Sequence, residues 1–174
     1  MKQEKRRKVE YRYYEVPQDV PVLALLGEGW IRPDLNYRIG NTPVSWMHYH
    51  DCLEIGYCYE GCGQLALGDV VVPYGPQTLT VVPRNVCHTT VSENQMLCRN
   101  EYLFIDAEGF VGSLPEEERR FGEKLLRHIN RAPIALSHSQ NPALGDAILS
   151  LIRELRSKQR FYQMSVKGLL LTLL

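Results

Sequence analysis

Two histidines and a glutamate lie close together in this chain, and a further histidine follows well downstream: His48, His50, Glu54 and His88. Imidazole and carboxylate groups of this kind are the ligands of mononuclear transition-metal sites. An unbroken strand from His48 to Glu54 would separate its two ends by about 20 Å, which is too far for one ion. The sequence therefore predicts a bend near Asp51, with His48 and His50 closing one strand, Glu54 opening the next and His88 coming from a third.

The residues around these four positions favour β-structure. From Val9 to about Ile134, short runs rich in β-branched and aromatic residues alternate with turns that contain Gly, Pro, Asn or Asp. The run from Ile55 to Tyr59 is typical of a strand, and the residues from Glu60 to Gly63 are typical of a hairpin turn. We expect a rolled antiparallel sheet, because its neighbouring strands can bring the distant ligands around one ion.

Helical periodicity replaces the β-pattern after Phe110. Ser113 and Glu116 have the spacing of a capping box, which predicts a helix over residues 114–131. Asn141 and Pro142 are typical of the start of a second helix. A third apolar stripe begins at Val166 and reaches the last residue without a stop signal, so we expect the native polypeptide to continue.

One face of the second helix carries an apolar stripe, and such a stripe needs burial. Its members are Leu144, Ile148, Leu151, Ile152 and Leu155. The stripe packs either inside the chain or against a second copy. A small, filled barrel offers limited surface for two or three helices to cover, which favours the dimer interface.

Charge and hydropathy narrow the classes of function. The 20 basic and 20 acidic residues cancel to a formal net charge of +0, whereas an autonomous nucleic-acid-binding domain usually has a positive excess. No apolar run reaches the roughly 18 residues that a membrane span needs, and no secretory signal is present. We therefore expect a cytoplasmic protein without a membrane partner, which does not bind DNA through these residues.

The spacing His48-x-His50-x3-Glu54-x6-Gly61 resembles the first motif of the cupin superfamily. The second cupin motif is matched in part by a proline and by His88, with Asn85 where glycine is usual. Asparagine also tolerates the positive φ that such a turn demands. The resemblance implies a mainly β fold, the cupin double-stranded β-helix or jelly-roll-like barrel, followed by C-terminal α-helices.

The order of the elements from about Tyr11 to Leu174 resembles the effector-binding and dimerisation domain of AraC-type bacterial transcription regulators. In that family the barrel binds a small molecule, a helix pairs two subunits, and a separate helix-turn-helix domain binds DNA. The run of basic residues at the start of the chain predicts a flexible N-terminus over 1–8. The resemblance implies a sensor barrel over 9–138 and a helical dimerisation segment over 139–174. It also implies a homodimer that contacts DNA only through a C-terminal domain missing here, and no enzymatic activity.

Within this resemblance the metal ligands are carried over as His48, His50, Glu54 and His88. The ion would be a divalent transition metal such as Zn, Ni, Fe or Mn. The alternative is that these groups hydrogen-bond one another, or hold an organic effector, without a metal. A small metal-dependent cupin enzyme, an oxygenase or an isomerase, is the alternative function.

Three further residues are predicted to line the effector pocket. Trp46 shares the strand parity of the two nearby histidines, and Cys58 shares that of Glu54. Tyr57 immediately precedes Cys58, so its side chain is predicted on the opposite face of the strand, away from the pocket. Arg84 is either the anchor for an anionic effector or a solvated residue of a turn.

Overall fold

The computed structural model describes residues 8–27, 31–32, 46–93 and 97–173, and it describes only the backbone of Lys8, Ile31, Arg32 and Trp46. The strands are β1 (Lys8–Tyr11), β2 (Val22–Leu25), β3 (Ile31–Arg32), β4 (Trp46–Tyr49), β5 (Leu53–Glu60), β6 (Gly63–Leu67), β7 (Val70–Tyr74), β8 (Thr78–Val82), β9 (His88–Ser92), β10 (Cys98–Ile105) and β11 (Ile134–Ser137). The helices are α1 (Ala107–Gly112), α2 (Glu116–Ile129), α3 (Pro142–Ser157) and α4 (Tyr162–Leu173). Residues 1–7 of the predicted flexible terminus lie outside the described ranges.

The strands form two sheets. The first sheet has the order β1-β4-β9-β6-β7, and the second has the order β11-β8-β5-β10-β2, with β3 also paired to β10. All pairs are antiparallel except β1 with β4. This architecture confirms the predicted jelly-roll-like barrel followed by C-terminal helices.

Alternation along β5 separates the interior of the barrel from a second apolar core. Cys58 packs in a cluster with Leu65 and Leu67 of β6. Tyr57 packs instead in the larger cluster that the helices share. The two faces of β5 are therefore assigned as the strand parity predicted, because successive side chains of a strand point to opposite faces.

The helix predicted over 114–131 is present as α2, but its predicted cap is wrong. Ser113 ends α1 instead, and its hydroxyl donates to the Phe110 carbonyl at 2.6 Å. Pro115 occupies the cap position of α2 and makes no side-chain capping bond. The second predicted start is confirmed, since the Asn141 side chain accepts a hydrogen bond from the Leu144 N–H at 3.2 Å.

The apolar stripe of α3 lies inside the chain, which corrects its interpretation as a dimer interface. Ile148, Leu151 and Ile152 are at most 1% exposed and Leu155 is 5% exposed. Leu144 is half-buried against the same core. The outer face of the second sheet is itself strongly apolar and must be covered. Its contributors to the shared core are Leu53, Ile55, Tyr57, Leu79, Val81, Leu103 and Ile105.

The helical layer covers that face, so the stripe on α3 is used within one subunit. Homodimerisation stays a prediction, and a partner would have to contact other residues. In the described part of the chain, none of the helices has the length and apolar character that a bilayer crossing needs.

Candidate metal and effector site

The four predicted ligands converge inside the barrel. Every pair of their ligand atoms lies within 4.8 Å of one another, and all four residues, His48, His50, Glu54 and His88, are buried. His48 of β4 faces His88 of β9, with ring centroids 4.2 Å apart. A bend at Asp51 and Cys52 separates β4 from β5, which brings Glu54 back toward the histidines and confirms the predicted break.

The turn between β8 and β9 fixes two of these ligands relative to each other. Asn85 has a φ of 61°, and its N–H donates to the His50 carbonyl at 2.7 Å. Three residues later, β9 begins with His88. The positive φ confirms that this position needs a residue that tolerates the left-handed region, as glycine or asparagine does.

The tautomers of His50 and His88 follow from their backbone contacts. Nδ1 of His50 lies 3.0 Å from the Cys52 carbonyl, and Nδ1 of His88 lies 2.8 Å from the Val86 carbonyl. Each Nδ1–H donates to that carbonyl oxygen, which leaves the Nε2 lone pair of the neutral ring directed into the cluster. This arrangement is typical of metal-binding histidines, whose other ring nitrogen is held by a carbonyl or carboxylate.

Both Nε2 atoms approach the same oxygen of Glu54, at 3.1 Å for His50 and 3.2 Å for His88. Without a cation, an ionised Glu54 can accept both contacts only if each ring carries a second proton, which places two imidazolium groups in a buried site. Two ligands about 2.1 Å from one ion at right angles would lie about 3 Å apart. The donor set and its spacing therefore fit a divalent transition metal.

Burial and charge set the protonation of these groups. Burial, reinforced by His88, lowers the pKa of His48 to about 3, so this imidazole stays neutral at physiological pH. Burial alone would raise the pKa of Glu54, but contacts with His88 and His50 outweigh it, and the pKa is lowered. Burial by itself would lower the pKa of His88, but the neighbouring Glu54 carboxylate has the larger effect, and the pKa of His88 is raised. Glu54 is therefore anionic, as a metal-binding carboxylate must be.

A small polar cavity lies next to the ligand layer inside the barrel. It measures about 10 Å³, which is room for roughly one water molecule. Its lining consists of Gly56, Tyr57, Cys58, Leu65, Tyr74, Thr78, Thr80, Thr90, Asn100 and Tyr102. The Tyr74 hydroxyl is buried, and it makes no hydrogen bond of ordinary geometry with the described residues. The side chains of Cys98 and Ser92 lie next to it. Gly56 follows Glu54 by two residues on the same face of β5, which is about 7 Å along the strand.

The structure separates the three predicted pocket residues. Cys58 lines the cavity. Trp46 begins β4, but its side chain lies outside what the structure describes. Arg84 is placed wrongly by the prediction, because it pairs with Glu108 of α1 at the surface rather than facing the ligand cluster. The turn that directs Asn85 toward His50 leaves the preceding side chain facing α1.

Two residues near the cluster were missed at the sequence level. The Tyr14 ring stacks on Phe104 with centroids 3.7 Å apart, and it meets the edge of His50 at 5.4 Å. Arg12 lies two residues earlier and is half-buried. The alternation of polar and aromatic residues from Val9 to Tyr14 was the available signal, but it does not specify which strand this segment joins.

Comparison with known protein families supports the fold. A family model described as the AraC-like ligand binding domain matches residues 37–174. No curated protein gives a match. Several solved structures of Bacillus subtilis oxalate decarboxylase are similar in part.

One of these structures concerns the Mn(II) centres of that enzyme; it is 20% identical and aligns over 41% of this chain and 19% of its own, with a TM-score of 0.32. The structure at pH 4.6 is 17% identical over 52% of this chain and 20% of its own, with a TM-score of 0.32. A structure of oxalate decarboxylase that concerns substrate binding and reaction specificity is 14% identical, and the alignment covers 49% of this chain and 27% of that chain, with a TM-score of 0.32. The chain thus spans about a fifth to a quarter of the length of these enzymes.

The family match covers most of the chain, including all four ligand positions and the helices that cover the second sheet. The two-sheet barrel with C-terminal helices is accordingly a cupin-type fold, and the chain belongs to the family of AraC-like ligand-binding domains.

Proposed function

We propose that this chain is the ligand-sensing and dimerisation domain of a bacterial AraC-type transcription regulator, and that its effector binds at a metal in the barrel. The observation that carries the proposal is the convergence of one carboxylate and three imidazoles, all buried, in a domain of a ligand-binding family. Without a ligand, the contacts of His50 and His88 with Glu54 would place charged imidazolium in a buried site, and burying such a charge costs free energy. The domain is proposed to act in the cytoplasm, as part of a homodimer, and not as an enzyme.

The ion in this proposal is Zn, Ni, Fe or Mn, all of which accept imidazole and carboxylate ligands. His48, His50, Glu54 and His88 would hold it. A bound divalent ion would act as a Lewis acid toward a donor atom of the effector. DNA binding would belong to a separate C-terminal domain.

Regulation requires that the effector bind one arrangement of the dimer more tightly than another. A coupling free energy of about 1 to 3 kcal/mol is typical of such switches. The strand β10 offers a physical connection, because Tyr102 lines the barrel cavity while Leu103 packs in the core shared with α3 and α4. A displacement of β10 on effector binding would therefore change the packing of α3 and α4.

The experiment that tests this function is metal titration of chelator-treated protein, with the bound metal quantified by elemental analysis. We expect one ion per chain, and an affinity reduced at least about tenfold by Glu54→Gln or His88→Ala. His128→Ala is the matched control, because His128 is exposed on α2 and should leave the affinity unchanged. Metal binding that is insensitive to both site variants would contradict the proposal.

The pH dependence of binding supplies a second arm of the same experiment. A metal ligand must be deprotonated, and the pKa of His88 is raised above its ordinary value of 6.5 by the Glu54 carboxylate, against burial. Protons therefore compete with the metal below that raised pKa, so the affinity should fall as the pH is lowered through it. Calorimetry in two buffers of different ionisation enthalpy should show proton release. Turnover of a bound small molecule that is lost in Glu54→Gln would identify a metal-dependent enzyme instead.

A further inference from the structure

The segment that follows β1 crosses from one sheet to the other beside the metal ligands. The Arg12 N–H donates to the Tyr49 carbonyl at 2.9 Å, which extends the pairing of β1 with β4 in the first sheet. Two residues later, the Tyr14 ring stacks on Phe104 of the second sheet and contacts the edge of His50. The backbone between these contacts therefore passes directly over the edge of the ligand cluster.

Strand register determines which side chains of this segment face the cluster. Glu10 pairs with His48 in the parallel register of β1 and β4, and paired residues of adjacent strands point to the same face. Arg12 and Tyr14 share the parity of Glu10. Burial follows the same alternation, since Tyr11 and Tyr13 are 47% and 71% exposed whereas Arg12 and Tyr14 are half-buried.

The guanidinium of Arg12 carries a positive charge on the side of the segment that faces the ligands, because Arg12 shares the face of Glu10 and His48 and is half-buried. Glu10 lies 3.9 Å from Arg12, but both side chains are partly exposed, so this ion pair is weak. A divalent ion held by one carboxylate and three neutral imidazoles also keeps a net positive charge. The site as a whole is therefore cationic.

We propose that the effector is a small organic carboxylate, with one carboxylate oxygen on the metal and Arg12 hydrogen-bonded to the same carboxylate group. This inference rests on the proposed metal-dependent function and adds the chemical class of the ligand. A guanidinium fork matches the planar geometry of a carboxylate, and hydrogen bonds between charged partners are stronger than neutral ones. Arg12 then has the role of anion anchor that the sequence assigned to Arg84, and Tyr14 packs beside the bound carboxylate.

The test uses the protein loaded with Co²⁺, whose visible absorption reports on the ligands of the ion. Titration with acetate should change the spectrum saturably, whereas acetamide, which has the same shape and no charge, should have little effect. Arg12→Gln should weaken acetate binding about tenfold or more, as the loss of a charge-assisted hydrogen bond predicts, with Co²⁺ affinity retained. Arg12→Lys, which keeps the charge but loses the fork, should fall between the two.

Arg84→Gln is the matched control, because this arginine is also half-buried but pairs with Glu108 on the outer surface. Its acetate affinity should equal that of the original protein, and thermal denaturation verifies that each variant folds. If Co²⁺ binds but Arg12→Gln leaves acetate binding unchanged, or acetamide binds as well as acetate, the carboxylate inference is overturned alone. If Co²⁺ does not bind at all, the proposed metal-dependent function fails and the inference fails with it.

Discussion

Asn85 shows how one backbone conformation positions two histidines of the buried cluster. Its φ of 61° turns the chain between β8 and β9, and its N–H bonds the His50 carbonyl. The same turn leads directly into His88. An L-residue with a Cβ pays a conformational penalty in this region, which glycine avoids and asparagine reduces.

Replacement of Asn85 tests this role. Asn85→Gly should retain the free energy of unfolding and the metal affinity, whereas Asn85→Ala should lower the free energy of unfolding by about 1 kcal/mol. Urea denaturation of the metal-free protein measures both variants. Asn130→Ala is the matched control, since Asn130 ends α2 with an ordinary φ of −75°. Equal stability of Asn85→Ala and the original protein would show that the turn does not require this conformation.

At the scale of elements, a buried carboxylate joins α3 to the barrel wall. Glu101 of β10 is only 3% exposed; it accepts a hydrogen bond from the Tyr59 hydroxyl at 2.6 Å and another from the Arg156 guanidinium. Its chain neighbours Asn100 and Tyr102 line the cavity on the opposite face of the strand. The end of α3 is thus attached to the strand that also borders the barrel cavity.

Removal of the Arg156 guanidinium should weaken the connection between α3 and β10. Arg156→Ala should lower the free energy of unfolding by about 1 to 2 kcal/mol, less than for a fully buried pair because Arg156 is partly exposed. In a Glu101→Gln background the same change should have a smaller effect, because no charged carboxylate is left unpaired. A double-mutant cycle in urea measures the difference.

The control for this cycle lies one turn earlier on the same helix. The Arg153 guanidinium donates hydrogen bonds to the Leu149 carbonyl and the Ser150 hydroxyl, which both belong to α3. Arg153→Ala should therefore change the free energy of unfolding by less than about 0.5 kcal/mol. Equal effects of Arg153→Ala and Arg156→Ala would contradict a specific link to β10.

At the scale of the whole molecule, one sheet face and the helices form a shared core. Ile148 of α3 and Val166 of α4 are both 0% exposed in the cluster that contains Leu103 of β10. The helical layer is therefore part of the folded unit of a single subunit. A partner subunit would contact it from outside.

This arrangement predicts the behaviour of a variant in the stripe of α3. Ile148→Ala should lower the free energy of unfolding by about 2 to 5 kcal/mol through cavity formation, while the oligomeric state stays that of the original protein. Chemical denaturation and sedimentation velocity measure the two properties. Leu171→Ala, on the exposed side of α4 at 52% exposure, should have little effect on stability. Dissociation of an oligomer by Ile148→Ala without loss of stability would restore the stripe as a subunit interface.

The sequence by itself determined the features that depend on local spacing. The ligand set, the bend at Asp51 and the opposite faces of Tyr57 and Cys58 follow from residue types and from the two-residue period of a strand, which needs no knowledge of distant contacts. The start of α3 at Asn141 was predictable for the same reason, because its cap is made within one turn.

Only the tertiary structure decided which surfaces meet. An apolar stripe on α3 is compatible both with packing inside the chain and with a subunit interface. The structure shows that the stripe packs on the outer face of the second sheet, which is equally apolar. Arg84 and Arg12 are both arginines beside strands, but the register of β1 with β4 places Arg12 on the face of His48, while a turn directs Arg84 to α1. Such pairings join residues far apart in the chain, so their energies depend on strand order and register, which local patterns do not encode.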